Sequence, residues 1–126
     1  MNSKYSKEHI WVIARGEFFR LGITAYAQEQ LGDVVYLELR ALGEEVMRGD
    51  SFGSIESVKS ISPLIAPVNG IITRINNDLI DDPDLINQDP EGEAWLLEEK
   101  IKDMTELERL LSNEQYQEFI ASLKNK

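Results

Sequence analysis

Gly53-Ser54-Ile55-Glu56-Ser57-Val58-Lys59-Ser60-Ile61-Ser62 sets a lysine between two short β-rich runs, where the tip of a hairpin would fall. Phe52 to Val58 and Ser60 to Ile65 read as the flanking strands. Further out, Asn69-Gly70 is a tight-turn signal before a strand over Ile71 to Ile75, and Gly43, Gly49 and Asp50 mark turns. The two halves around Lys59 are alike only in that each holds a strand of similar length bounded by glycine or proline.

Two regimes divide the chain. From Trp11 to about Ile101 it is punctuated by glycine and proline and rich in valine and isoleucine, the pattern of short strands joined by turns. Ile10 to Ala14 and Phe18 to Gly22 form a hairpin pattern around Arg15-Gly16-Glu17. Thr24 is placed to cap a short helix over Ala25 to Gln30 that Gly32 ends, and Val34 to Leu39 resumes a strand. Asn77 to Glu93, with prolines at 83 and 90, reads as loop, and Ala94 to Leu97 as the last strand.

After Asp103 glycine and proline vanish, and the spacing turns helical. Asp103 with Glu106 and Ser112 with Gln115 are capping-box patterns that predict two helices. Their apolar stripes, Leu107-Leu110-Leu111 and Tyr116-Phe119-Ile120-Leu123, predict packing on the sheets. The expected class is mainly β with C-terminal helices. The expected organisation is one domain over residues 1–126, with a β core over about 10–101 and helices over 103–124.

Composition narrows the chemistry. The chain has 126 residues, a net charge of -10, 42% apolar residues and no cysteine. A disulfide framework and a thiolate nucleophile are thereby excluded, so redox chemistry must come from a group other than the polypeptide. The negative field disfavours nucleic acid and anionic membranes and favours partners with basic patches. No apolar run is long enough to cross a bilayer, and Met1 to Ile10 lacks an apolar or arginine-rich leader, which makes the cytoplasm the expected location.

Catalytic machinery is not evident. His9 is the single histidine, so no histidine pair exists for zinc, and a structural hydrogen-bonding role is expected for it. No G-x-S-x-G elbow and no phosphate-binding glycine loop are present. Asp78, Asp81, Asp82 and Asp84 cluster without the central glycine and terminal glutamate of a calcium loop, and are expected to be a solvated segment.

Lys59 remains. A hairpin tip fixes its backbone through the strands and leaves its side chain free, which is what a swinging-arm carrier needs. From spacing alone, an unmodified surface lysine at a turn is the ordinary outcome. The surrounding residues go further. Glu56-Ser57-Val58-Lys59 resembles the lipoyl-attachment motif of the glycine cleavage system H-protein family. Gly22 to Val35 is similar to the family's long signature ahead of the lysine, Ala66-Pro67-Val68-Asn69-Gly70 to its following turn, and Leu85 to Pro90 with Trp95-Leu96 to its late loop and strand. The resemblance runs from about Tyr5 to Tyr116.

The resemblance implies a barrel-sandwich hybrid of two antiparallel sheets, with Lys59 on the hairpin turn carrying lipoic acid through an amide and Glu56 serving its recognition for lipoylation. It implies a carrier with no catalysis of its own. Glycine decarboxylase would load an aminomethyl group onto the dithiolane, a folate-dependent aminomethyltransferase would unload it, and dihydrolipoyl dehydrogenase would reoxidise the arm. A lipoate ligase or lipoyl transferase would attach it, and the protein would be a monomer. Biotin carriers set their lysine between methionines, whereas Val58 and Ser60 flank Lys59.

Four positions depart from the family pattern: Ile10 and Glu91, where glutamate and tyrosine are usual, and Pro63 and Ile65, where aspartate and tyrosine are usual. Several belong, in the family, to the surface that receives the loaded arm. Loss of acid at Ile10 and Pro63, and of a hydroxyl at Ile65, is expected to weaken the hold on a cationic amine, because a charge moved against apolar surface needs a partner. The alternative reading is therefore an H-like lipoyl carrier without glycine cleavage activity, serving lipoyl relay to 2-oxoacid dehydrogenases or redox regulation. A third is an interaction domain whose Lys59 is never modified.

Overall fold

Alternating apolar residues build the first sheet from its hairpin, β2 (Ile10–Arg15) and β3 (Phe18–Ile23), closed by Gly16 at φ 62°. The structure, a computed structural model, describes residues 3–124; the ends of the expected 1–126 span lie outside the described residues. A short strand not expected from the sequence, β1 (Lys4–Tyr5), pairs with β2 at Val12 and Trp11. The chain then forms α1 (Ala25–Leu31), β4 (Val34–Leu39), β5 (Glu45–Val46), β6 (Ser51–Ser57), β7 (Ile61–Ile65) and β8 (Gly70–Ile75). It ends with α2 (Asn77–Asp81), α3 (Leu85–Gln88), β9 (Leu97–Ile101), a 3-10 helix (Met104–Arg109) and α4 (Asn113–Lys124).

The strands form two antiparallel sheets, one in the order β1-β2-β3-β9-β8-β5 and the other β4-β6-β7. Their inner faces share one core, in which Val12, Phe19, Leu21 and Ile72 of the larger sheet meet Leu37, Phe52, Ile55 and Leu64 of the smaller. Thr24 caps α1 as expected, accepting from the Ala27 amide at 3.2 Å, and Gly32 ends it at φ 75°. The Ser112 and Gln115 box also forms, with reciprocal bonds of 2.9 and 3.2 Å.

Four local expectations are corrected. Asn69-Gly70 is not a hairpin turn: β8 pairs with β5 and β9, never with β7, so the chain here passes from one sheet to the other. Gly70 is needed for close approach, because a Cβ there would lie 2.7 Å from Glu99 Cβ. Residues 77–93 are not all loop; α2 and α3 form because Leu79 and Ile86 reach the core. The last strand is Leu97–Ile101 rather than Ala94 to Leu97, since its pairing with β3 starts at Leu97 opposite Leu21. Glu106 does not close a capping box with Asp103; it turns inward and accepts from the Asn69 amide at 2.9 Å, while Asp103 accepts from Thr105.

β9 carries two glutamates in two settings. Glu98 faces the outer side, 2.9 Å from the Arg20 Nε and 3.7 Å from Arg74, whose guanidinium groups both lie over the Trp95 ring. Glu99 sits on the core side, in register with Phe19 and Ile72, and is fully buried. Neither of its carboxyl oxygens has a partner, nor has Glu106 Oε1. Burial first, and the nearby charge of Glu106 second, push the Glu99 carboxyl up to about 8.

Native Glu99 thus holds a proton that the unfolded chain releases near a carboxyl's ordinary 4.5. Its contribution to stability is complete below that value and is lost as pH rises toward about 8. Melting temperature is expected to fall between pH ~5 and pH ~8.5. Glu99→Gln, which removes the ionisation and keeps the shape, should lose most of that fall; an undiminished decline would place its origin elsewhere.

Candidate functional site

The turn at Lys59 is built from Ser57. This serine is buried at the end of β6, and its backbone amide donates to Ser60 O at 2.8 Å. Its side-chain oxygen accepts from the amides of Lys59 and Ser60, each at 3.2 Å, and its hydroxyl faces Ser60 O at 3.3 Å. One short polar side chain thereby satisfies the donors that a tight reversal exposes. The Val58 amide reaches across to Asp33 O at 3.1 Å, which ties the turn to the start of β4.

The backbone of Lys59 is therefore held while its side chain is exposed. Among the described residues no carboxylate lies within ion-pair distance of its amine. The end of the side chain runs past the C-terminus of α1, where a Cβ at Gly32 would meet Cε at 3.6 Å. Glu56 lies on the outer face of β6, exposed, in register with Tyr36 on β4 and Ile61 on β7. Tyr36, Val58 and Ile61 are all more than half exposed, at 54%, 66% and 69%. Exposed apolar side chains thus flank the turn, with the Glu56 carboxylate among them.

Beside the turn, α1 and β7 enclose a cavity of about 290 Å³. Ile10, Ile23, Leu31 and Ile55 give it apolar walls, and Pro63 and Leu64 of β7 complete one side. Polar groups enter at Tyr26, Gln30 and Ser62, and at Glu8 and His9 from the β1–β2 link. The structure brings Ile10 and Pro63 together here, but not Ile65, which was expected beside them. Ile65 and Glu91 are elsewhere. Ile65 lines a separate cavity with Arg48 and Arg109, and the Glu91 carboxylate accepts from the Ala25 amide at 2.7 Å, at the start of α1.

Sequence reasoning missed Glu8. It stands two residues before Ile10 and is the one acidic residue in this cavity wall. Its signal was its place next to His9, whose Nδ1 lies 2.7 Å from the buried Tyr116 hydroxyl, the structural role expected of a lone histidine. Burial pushes the His9 imidazole below its ordinary range, against the opposing pull of the Glu8 charge. Asp78, Asp81, Asp82 and Asp84 are exposed on α2 and the segment after it.

Residues 3–123 match the family model described as glycine cleavage H-protein. The glycine cleavage system H protein of Staphylococcus saprophyticus is 47% identical over 117 residues, covering 93% of both chains. That of Carboxydothermus hydrogenoformans is 44% identical over 117 residues, covering 93% of this chain and 90% of its own. The crystal structure of a glycine cleavage system H protein from Mycobacterium marinum superposes with a TM-score of 0.83 at 39% identity, over 91% of this chain and 93% of that one.

Ser57→Ala would leave the amides of Lys59 and Ser60 without their acceptor. The expected loss of stability is about 1 kcal/mol in denaturant unfolding. An unchanged midpoint would show that the strands alone hold the turn.

Proposed function

The chain belongs to the glycine cleavage H-protein family, and on that premise we propose that it is a lipoyl carrier whose arm is attached at Lys59. The observation that carries the assignment is the held backbone and free amine of this lysine at the β6–β7 turn. Attachment needs an amine that can reach an activated acyl group, and an exposed side chain without an ion-pair partner among the described residues has that reach. Glu56, three residues upstream on the outer face, is the recognition element for the lipoate ligase or lipoyl transferase. When bound, the lipoyl group supplies a disulfide that accepts the one-carbon unit of glycine, chemistry that a chain without cysteine lacks.

The cavity fits such a group. Its walls of isoleucine, leucine and proline suit an alkyl chain, and Glu8 offers a carboxylate to a cationic amine at the arm's end. The acid absent from positions 10 and 63 is in this reading supplied from position 8, and the loaded arm is held out of water. The partners are glycine decarboxylase, the aminomethyltransferase and dihydrolipoyl dehydrogenase, met in the cytoplasm by a monomer whose charge of -10 suits basic docking faces.

Intact mass tests the assignment. Incubated with lipoate, ATP and a lipoate ligase, the wild type should gain one lipoyl mass and Lys59→Arg none; modification of that variant would move the site. Glu56→Ala should be modified more slowly with its melting temperature unchanged. The lipoylated wild type should then gain further mass with glycine and glycine decarboxylase. Lipoylation without that gain would support the alternative, a carrier serving lipoyl relay or redox regulation. Glu8→Gln should load and then shed its glycine-derived mass faster; equal shedding would remove Glu8 from the role.

A further inference from the structure

α4 turns one face inward, and Tyr116 is its largest buried side chain, 2% exposed. Its ring stacks on Tyr5 at 4.8 Å and 12° between planes, so the aromatic part is accounted for by packing. The hydroxyl has a separate job. It lies 2.7 Å from His9 Nδ1 and 2.7 Å from Thr24 Oγ1, joining two residues far from it and from each other in sequence.

Each of those residues governs a wall of the arm cavity. Thr24 caps α1, the helix that gives the cavity Tyr26, Gln30 and Leu31. His9 lines the cavity itself with its ring 4.9 Å from that of Tyr26, and it has φ 70°, a left-handed conformation unfavourable for histidine unless its surroundings impose it. The two backbones meet as well, Thr24 N donating to His9 O at 3.0 Å. Tyr116 is therefore the point at which the C-terminal helix grips both sides.

We propose that Tyr116 is a positioning residue for the arm cavity, its hydroxyl pinning His9 and Thr24 so that the β1–β2 link and α1 keep the separation that holds the loaded arm. This rests on the carrier reading above. Thr24 Oγ1 accepts from the Ala27 amide as well, so one chain of hydrogen bonds runs from the start of α1 through the Tyr116 hydroxyl to His9 Nδ1. The Lys59 turn takes no part in this network, so attachment of the arm is independent of it.

The test uses the full chain, lipoylated and loaded with glycine and glycine decarboxylase, then freed of the enzyme. The rate at which glycine-derived mass is lost is read by intact mass. Tyr116→Phe keeps the stack on Tyr5 and removes the hydroxyl; Thr24→Val removes the other partner, and Thr24→Ser retains one. Ile120→Val, on the same helix, controls for lost stability. Tyr116→Phe and Thr24→Val should accept lipoate at the wild-type rate yet shed the load several-fold faster than Ile120→Val, with Thr24→Ser close to wild type. In nitrogen NMR the His9 Nδ1 resonance should shift in Tyr116→Phe. Shedding that only tracks melting temperature, or an unmoved Nδ1 resonance, overturns the proposal. A lipoylated wild type that takes up no glycine-derived mass overturns the glycine cleavage role and this inference with it, whereas loading with equal shedding overturns this inference alone.

Discussion

The acceptance of two consecutive amides by the Ser57 side chain is the interaction on which the functional end of the molecule depends. A carrier lysine faces opposed demands, since its backbone must not move and its side chain must. Strand pairing alone would leave a short reversal with unsatisfied donors that fray. With Ser57 holding the turn from within and Asp33 O holding Val58 from the side, the turn's backbone is tied and the Lys59 side chain is left exposed. The rest of the fold supplies the sheet in which β6 is central and so cannot shift, because it pairs on one edge with β4 and on the other with β7.

How far the sequence could be read follows from the range of the interactions involved. The hairpin β2–β3, the capped helix α1 and the strands around Lys59 rest on contacts between near neighbours, and their signals were explicit at Gly16, Thr24 and Gly32. Misreadings arose where a distant residue decided the outcome. Asn69-Gly70 has the composition of a hairpin turn, but Gly70 is small because Glu99 of a remote strand packs on it. The expected last strand, Ala94 to Leu97, stops where β9 starts, and Glu98 and Glu99 lie within β9. Arg20 and Arg74 make the first acceptable, and a retained proton the second. Glu106, expected to serve its own helix, serves Asn69 instead.

The site divides in the same way. The turn that carries Lys59, with Glu56 on the strand leading into it, is legible because its signals are local in sequence. The cavity is not, since its walls come from the β1–β2 link, β3, α1, β6 and β7, and only folding shows that Glu8 and Pro63 face one space. A departure from a family pattern at one position therefore has no fixed meaning until the neighbours in space are known. Ile10 and Pro63 are apolar where the family pattern has acid, and Glu8 lines the same cavity.

Pro63 illustrates how such a change is absorbed. Proline contributes no backbone donor and is excluded from the middle of a sheet, yet here it sits within β7, opposite Ser54. β7 is an edge strand, with β6 on one side only, so a lost amide need not break a ladder. The same strand starts one residue after the Lys59 turn ends at Ser60, and then passes along the cavity through Ser62, Pro63 and Leu64. One strand thus joins the Lys59 turn to the cavity wall. A rigid residue in that strand reduces the backbone freedom between the two, so proline at this position stiffens the link from turn to cavity without breaking the sheet.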